Sequence, residues 1–344
     1  MASPYETSIT HHGAVAAVSH SPDAADHVGE DQWWLPVADP EGVAAVSRAA
    51  ASVASALRLP EARIAAVAEV AAEVAGQLLR RTVTGWVLVR TLRAGLERGV
   101  GVVGLASADA PSGIGQPGHN LALDLPGASH VDGYAWPGAG VVLTAALWPG
   151  PATEPWADGL TSPIPGEEIS GDRWAVRELD GRRQVMLCDG LGHGAAAATA
   201  SRAAIEAFLV APVSGPRAAV DHIHRSLAST RGGVVAVAEL NLRRGLLRYS
   251  GIGNIAGWVV EPESRHGMVS VPGIVGHQRR DIREFEYPIT PATVVVMHSD
   301  GLDDGWDLSH YPGLLERSPL VVAATLLRDA RTGRDDACVV VARP

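Results

Sequence analysis

Residues 184–200 read QVMLCDGLGHGAAAATA: an apolar run ends in one aspartate, three glycines flank a histidine, and an alanine-rich segment follows. A short apolar run bounded by a glycine turn is the pattern of a buried strand. The alanines then favour a helix, predicted over 194–211. A carboxylate at the mouth of a buried strand is costly unless it is solvated, hydrogen-bonded or bound to a cation. An aspartate–glycine pair standing alone is an ordinary turn dipeptide, so the weight rests on what accompanies it.

The same grammar recurs three times. VVVMHSDG ends a strand in Asp300 and Gly301, GRDDACVVV opens one with Asp335 and Asp336, and SGDRW places Asp172 after a glycine. Four such positions can converge at one end of a sheet. Carboxylate oxygens without histidine or thiolate suit magnesium or manganese rather than zinc.

Composition narrows the alternatives. The chain has 344 residues, 47% of them hydrophobic, and a formal net charge of −10. That length suits about two domains of roughly 100–200 residues each. No basic block is present, which argues against nucleic acid as a partner. All 28 of the Lys+Arg residues are arginine, and the missing lysine excludes the lysine-bearing phosphate loop. Cys188 and Cys338 lie in apolar runs and read as small buried hydrophobes. No leader pattern and no unbroken apolar run of 18 residues is seen, so a cytoplasmic chain without a membrane span is expected.

The predicted organisation has four parts. Residues 1–35 are mixed and polar and read as a flexible tail. Residues 36–150 carry two helices separated near RLPEAR, then strand-like runs such as GWVLVRTLR and GVVLTAALW. Residues 151–165, within a proline-rich stretch, read as a linker. Residues 166–344 alternate strands with helices predicted at 194–211, 216–229 and about 319–330. The fold class is α+β.

Taken together, GDRW, DGLGHG, SDGL and DDACVVV stand in the order and approximate spacing of the metal-dependent type 2C (PPM) protein phosphatases. The chain resembles most closely their sporulation stage II protein E (SpoIIE) branch, and RGGVVAVAELNL, LLRYSGIGNIAGWVV and PGIVGHQ agree with it. The resemblance implies an αββα sandwich holding two manganese or magnesium ions. It implies that Asp189 bridges the ions and the Gly190 carbonyl completes the second site. Asp172, Asp300 and Asp335 would hold the rest, with Asp336 behind them. In that family a water between cations about 4 Å apart attacks phosphorus in line. Asp189 and Asp172 are thus the catalytic candidates, together with His193, which can protonate the leaving serine oxygen or serve as a loop residue hydrogen-bonded to backbone. His222 and His224 read as surface residues, and Asp303 and Asp304 as solvated loop charges.

Residues 36–150 are similar to the anti-sigma serine kinases of the GHKL ATP-binding family, a smaller α/β sandwich. VAAEVAGQLLRR keeps the family's glutamate at Glu73 but has Gln77 where relatives show a magnesium-holding asparagine. SADAPSGIG keeps Asp109 and Gly113 of the adenine loop with altered residues between. These changes point to a domain that has lost ATP turnover or holds nucleotide poorly.

Three functions follow as expectations. The first is a phosphoserine/phosphothreonine phosphatase acting on a STAS-domain anti-anti-sigma protein, with a sigma factor or an anti-sigma kinase as further partners and a homodimer left open. The second is an inert phosphatase fold that sequesters a regulator. The third is a kinase and phosphatase opposed on one substrate.

Overall fold

Strands in the C-terminal half are apolar on both faces because both faces are buried. In the strand Arg182–Gly190, Val185 and Leu187 face one core while Met186 and Cys188 face another. This explains the continuous apolar run where a half-solvated strand would alternate. The computed structural model describes residues 27–28, 32–81, 84–94, 97–107, 125–136, 140–150, 155–179, 181–212, 214–277 and 281–344.

The N-terminal half comprises β1 (His27–Val28), β2 (Gln32–Val37), α1 (Pro40–Ala56), α2 (Glu61–Arg81), β3 (Gly85–Ala94), β4 (Glu97–Ala106), β5 (His130–Trp136) and β6 (Gly140–Leu147). Next come β7 (Ala157–Ser162), β8 (Asp172–Leu179), β9 (Arg182–Gly190), α3 (Gly194–Val210), α4 (Pro216–Ser226), β10 (Gly233–Asn241) and β11 (Leu246–Ile252). The chain ends with β12 (Ala256–Glu261), β13 (Ser264–Met268), β14 (Ser270–Val271), β15 (Phe285–Pro288), β16 (Val294–His298), α5 (Pro319–Ala330) and β17 (Ala337–Ala342).

Two sheets pack face to face. One runs β1-β8-β9-β10-β11-β14, with β15 also on β11; the other runs β13-β12-β16-β17-β7. Trp174, Leu187 and Tyr249 from the first meet Val295, Met297 and Val340 from the second. Helices α3 and α4 cover the outer face of the first through Ala204, Phe208 and Ile223. Helix α5 covers the outer face of the second, giving the αββα arrangement expected. The N-terminal sheet, β2-β3-β4-β6-β5, carries α1 and α2 on one face and lays the other on α5. Asp39 caps α1 by accepting the Gly42 N–H at 2.8 Å, and Pro40 occupies the first turn, where its missing N–H costs nothing.

Two boundaries differ from the sequence reading. Residues 32–35, placed at the end of the tail, belong with Pro36 and Val37 to the edge strand β2 paired with β3. His27 and Val28 pair with Val176 and Ala175 of β8. The expected linker contains β7, buried along its whole length and paired with β17. Both strands are short and flanked by proline or polar residues, so their order comes from the sheets they join rather than from local pattern. Among the described residues no helix is long and apolar enough to cross a membrane. Cys188 and Cys338 are buried free thiols, as expected.

Candidate metal centre

The antiparallel ladder between β8 and β9 sets Asp172 directly opposite Asp189. Directly opposed residues project from the same face, so the two carboxyls meet at one end of the sandwich. Asp172 is only 2% exposed. Its backbone N–H is held by the Ser170 hydroxyl at 3.1 Å, and its carboxyl bonds the Ser299 side chain. Burial, then the charge of Asp189, raises Asp172 well above the usual carboxylate range. Burial, then the charges of Asp300 and Asp335, pushes Asp189 up to about 7.

Asp300 follows β16 at the rim and accepts the Asn254 side-chain amide at 2.7 Å. Burial and the Asp335 charge raise it as well. Asp335 and Asp336 lead into β17. Asp336 accepts the N–H of Ile164 and the N–H of Gly171, both at 2.7 Å, and its own N–H donates to Asp335 at 2.8 Å. Asp336 is therefore the strut of this end of the sandwich, tying the start of β17 to Ile164 and Gly171. Close backbone approach completes the frame. A β-carbon on Gly190 would collide with the Ala197 carbonyl oxygen, and one on Gly301 with that of Asp336.

These carboxylates come from four separate segments and form no ion pair among the described residues. The Asp172 Oδ2 atom is buried without a hydrogen-bond partner. Among the described residues no three acidic, histidine or cysteine side chains close into a finished cage. Each of Asp172, Asp189 and Asp300 is raised in part by the charge of a neighbouring aspartate. An orphaned acceptor, an all-oxygen donor set and uncompensated negative charge fit a hard divalent cation.

His193 stands just before the first turn of α3. Its Nδ1 lies 2.8 Å from Glu167 Oε1, a carboxylate partner rather than backbone. Ser299 and Asn254 escaped the sequence reading although each adjoins a glycine turn, in HSDG and GIGN; Asn254's partner Asp300 lies 46 residues away, and Ser299's partner Asp172 lies in the other sheet. His224 is more than a surface residue, since its Nδ1 accepts the Gly276 N–H at 3.1 Å. Asp304 is not merely solvated either: it lies 3.2 Å from the buried His298, whose hydrogen bond holds it below the usual carboxylate range.

In the N-terminal half, Glu73 accepts from Gln77 and from Arg80, each at 2.6 Å, and Arg81 donates to the Gln77 side chain. The pair is thus tied into its own helix face. Asp109 and Gly113 lie outside the described residues.

Residues 179–344 match the family described as Stage II sporulation protein E (SpoIIE). A chain from a study of the bacterial stressosome, described as a modular system adapted to control secondary messenger signaling, is 26% identical with a TM-score of 0.50, covering 54% of this chain and 98% of its own. The phosphatase domain of Bacillus subtilis SpoIIE with a fragment of its regulatory domain is 19% identical with a TM-score of 0.46, covering 62% and 69%. The serine/threonine phosphatase PstP/Ppp of Mycobacterium tuberculosis is 18% identical with a TM-score of 0.42, covering 54% and 97%. No curated protein matches the chain. The match begins at the last residue of β8 and takes in Asp189, Asp300, Asp335 and Asp336, so the C-terminal half of this chain is similar to the SpoIIE family over the sheets and helices that carry these aspartates.

Proposed function

We propose that the C-terminal half is a metal-dependent protein serine/threonine phosphatase acting on a phosphorylated STAS-domain regulator in a bacterial partner-switching system. The observation that carries this reading is the meeting of Asp172, Asp189, Asp300 and Asp335 at one end of the sandwich, with an unsatisfied buried oxygen among them. Asp172, Asp189, Asp300, Asp335 and the Gly190 carbonyl would hold two manganese or magnesium ions. Such ions supply charge neutralisation on the phosphoryl group and activation of water for in-line attack.

The remaining chemistry falls to the chain's own side chains. Ser299 and Asn254 orient Asp172 and Asp300. Asp336 anchors the strand entrance that carries Asp335. His193, steered by Glu167, would hand a proton to the departing serine oxygen. Manganese-dependent hydrolysis of p-nitrophenyl phosphate and of a phosphorylated STAS protein tests the reading; turnover equal in manganese and in excess chelator would overturn it.

The N-terminal half reads as a regulatory unit, supported by Glu73 and Gln77 being bonded to each other and to neighbouring arginines. Calorimetry with magnesium and ATP should show no heat of binding. Micromolar affinity would instead revive a kinase opposed to the phosphatase.

A further inference from the structure

The two halves meet across a buried ion pair. Arg90 on β3 directs both terminal nitrogens at the Asp158 carboxylate on β7, at 2.8 and 2.6 Å, and one also donates to the Gly159 carbonyl at 3.0 Å. The two side chains are 4% and 10% exposed. Trp34 on β2 donates its indole N–H to the Thr161 carbonyl at 3.1 Å. The N-terminal sheet therefore grips β7 at three places along its length.

What β7 carries makes the grip consequential. It is the edge strand beside β17, with Ser162 opposite Ala337. Two residues beyond its end, Ile164 donates its N–H to Asp336 Oδ1 at 2.7 Å. Where β7 sits along its own axis thus sets where Ile164 meets Asp336, and with it the neighbouring Asp335.

A second contact reaches the same side of the cluster. Leu88, Val103, Leu105 and Val142 of the N-terminal sheet share one core with α5. Asp132 accepts the N–H of Ser318, just before α5, at 2.8 Å. At the other end of α5 the Ala330 carbonyl accepts from Asp303 at 2.8 Å, and Thr332 donates to the Gly301 carbonyl at 2.9 Å. The helix so joins the Asp300 turn to the run into Asp335.

We propose that the N-terminal sheet is the mount for the Asp300, Asp335 and Asp336 side of the metal centre, with Arg90 as a positioning residue acting through β7. This rests on the reading of the aspartate cluster as a metal centre. Buried ion pairs are seldom retained for stability, because desolvation offsets their attraction, whereas their two-pronged geometry fixes register. How the N-terminal half seats on β7 and α5 then governs cation affinity from a distance.

The test is manganese binding to the full chain, followed by calorimetry and by the paramagnetic resonance signal of free ion. Arg90→Met combined with Asp158→Leu removes both charges while keeping the volume filled. Its manganese dissociation constant should rise tenfold or more. Val67→Ala, a core truncation in α2 remote from the interface, should lower the melting temperature yet leave that constant within twofold. Arg90→Lys, whose single ammonium cannot span both carboxylate oxygens and Gly159, carries the same comparison should the paired variant fail to fold; a threefold or larger rise is expected. Wild-type affinity in these Arg90 variants overturns the inference alone. A wild-type chain that binds no manganese overturns the metal reading together with it.

Discussion

Asp172 faces Asp189 across the β8–β9 ladder, one carboxyl almost wholly buried and the other half-buried, with no arginine paired to either among the described residues. Two like charges held this way oppose folding unless a proton or a cation stands between them. Asp189→Asn should therefore separate function from stability. Manganese-dependent turnover should fall by a factor of about 100 or more, while the metal-free protein gains about 1–3 kcal/mol at pH 8 because one unfavourable buried charge is gone. Turnover and chemical denaturation of the same preparation check both halves of the statement.

The pH dependence has a definite sign. Asp172 is raised, and Asp189 sits at about 7 against an ordinary value near 4, so the folded chain binds more protons than the unfolded one across that interval. Stability of the metal-free protein should fall as pH rises from about 4 through about 7. Manganese must displace those protons, so its stabilising effect should be larger at pH 8 than at pH 5.5. Melting curves with and without manganese at both values decide the matter; a metal-induced shift independent of pH contradicts it.

His193 offers a test of leaving-group chemistry. Its ring is oriented by Glu167 and stands exposed on the turn between β9, which carries Asp189, and α3. General acid catalysis matters when the departing oxygen is a poor leaving group, as in phosphoserine, and little for p-nitrophenolate. His193→Ala should cut kcat on a phosphoserine peptide about 10- to 100-fold and change p-nitrophenyl phosphate turnover less than threefold. Equal losses on both substrates would remove His193 from proton transfer.

Backbone proximity gives a prediction independent of charge. Gly301→Ala forces a methyl against the Asp336 carbonyl, a backbone atom that cannot swing away. We expect about 2–4 kcal/mol of destabilisation and weaker manganese binding. Gly76→Ala, in the middle of α2, meets only the flexible end of Arg80. It should stabilise the chain by about 0.5–1 kcal/mol through helix propensity alone.

Much of the site was legible because its signals are local. A strand ending in aspartate–glycine, as at Asp189 and Asp300, announces its own boundary, and α3 and α5 begin and end close to where alanine and leucine periodicity places them. The strands β2 and β7 were not legible. Six residues carrying a buried Asp158 and flanked by prolines look like a linker until Arg90, 68 positions away, neutralises that charge.

The order of residues alone determined which segments are strand, turn and helix around the aspartates, since propensity and apolar period act over a few neighbouring positions. Only the tertiary structure decided that Ser299 and Asn254 hold the carboxyls, that Glu167 rather than backbone meets His193, and that the N-terminal sheet grips β7 and α5. Those pairings depend on chain segments brought together by burial, and burial belongs to the folded whole rather than to any stretch of it.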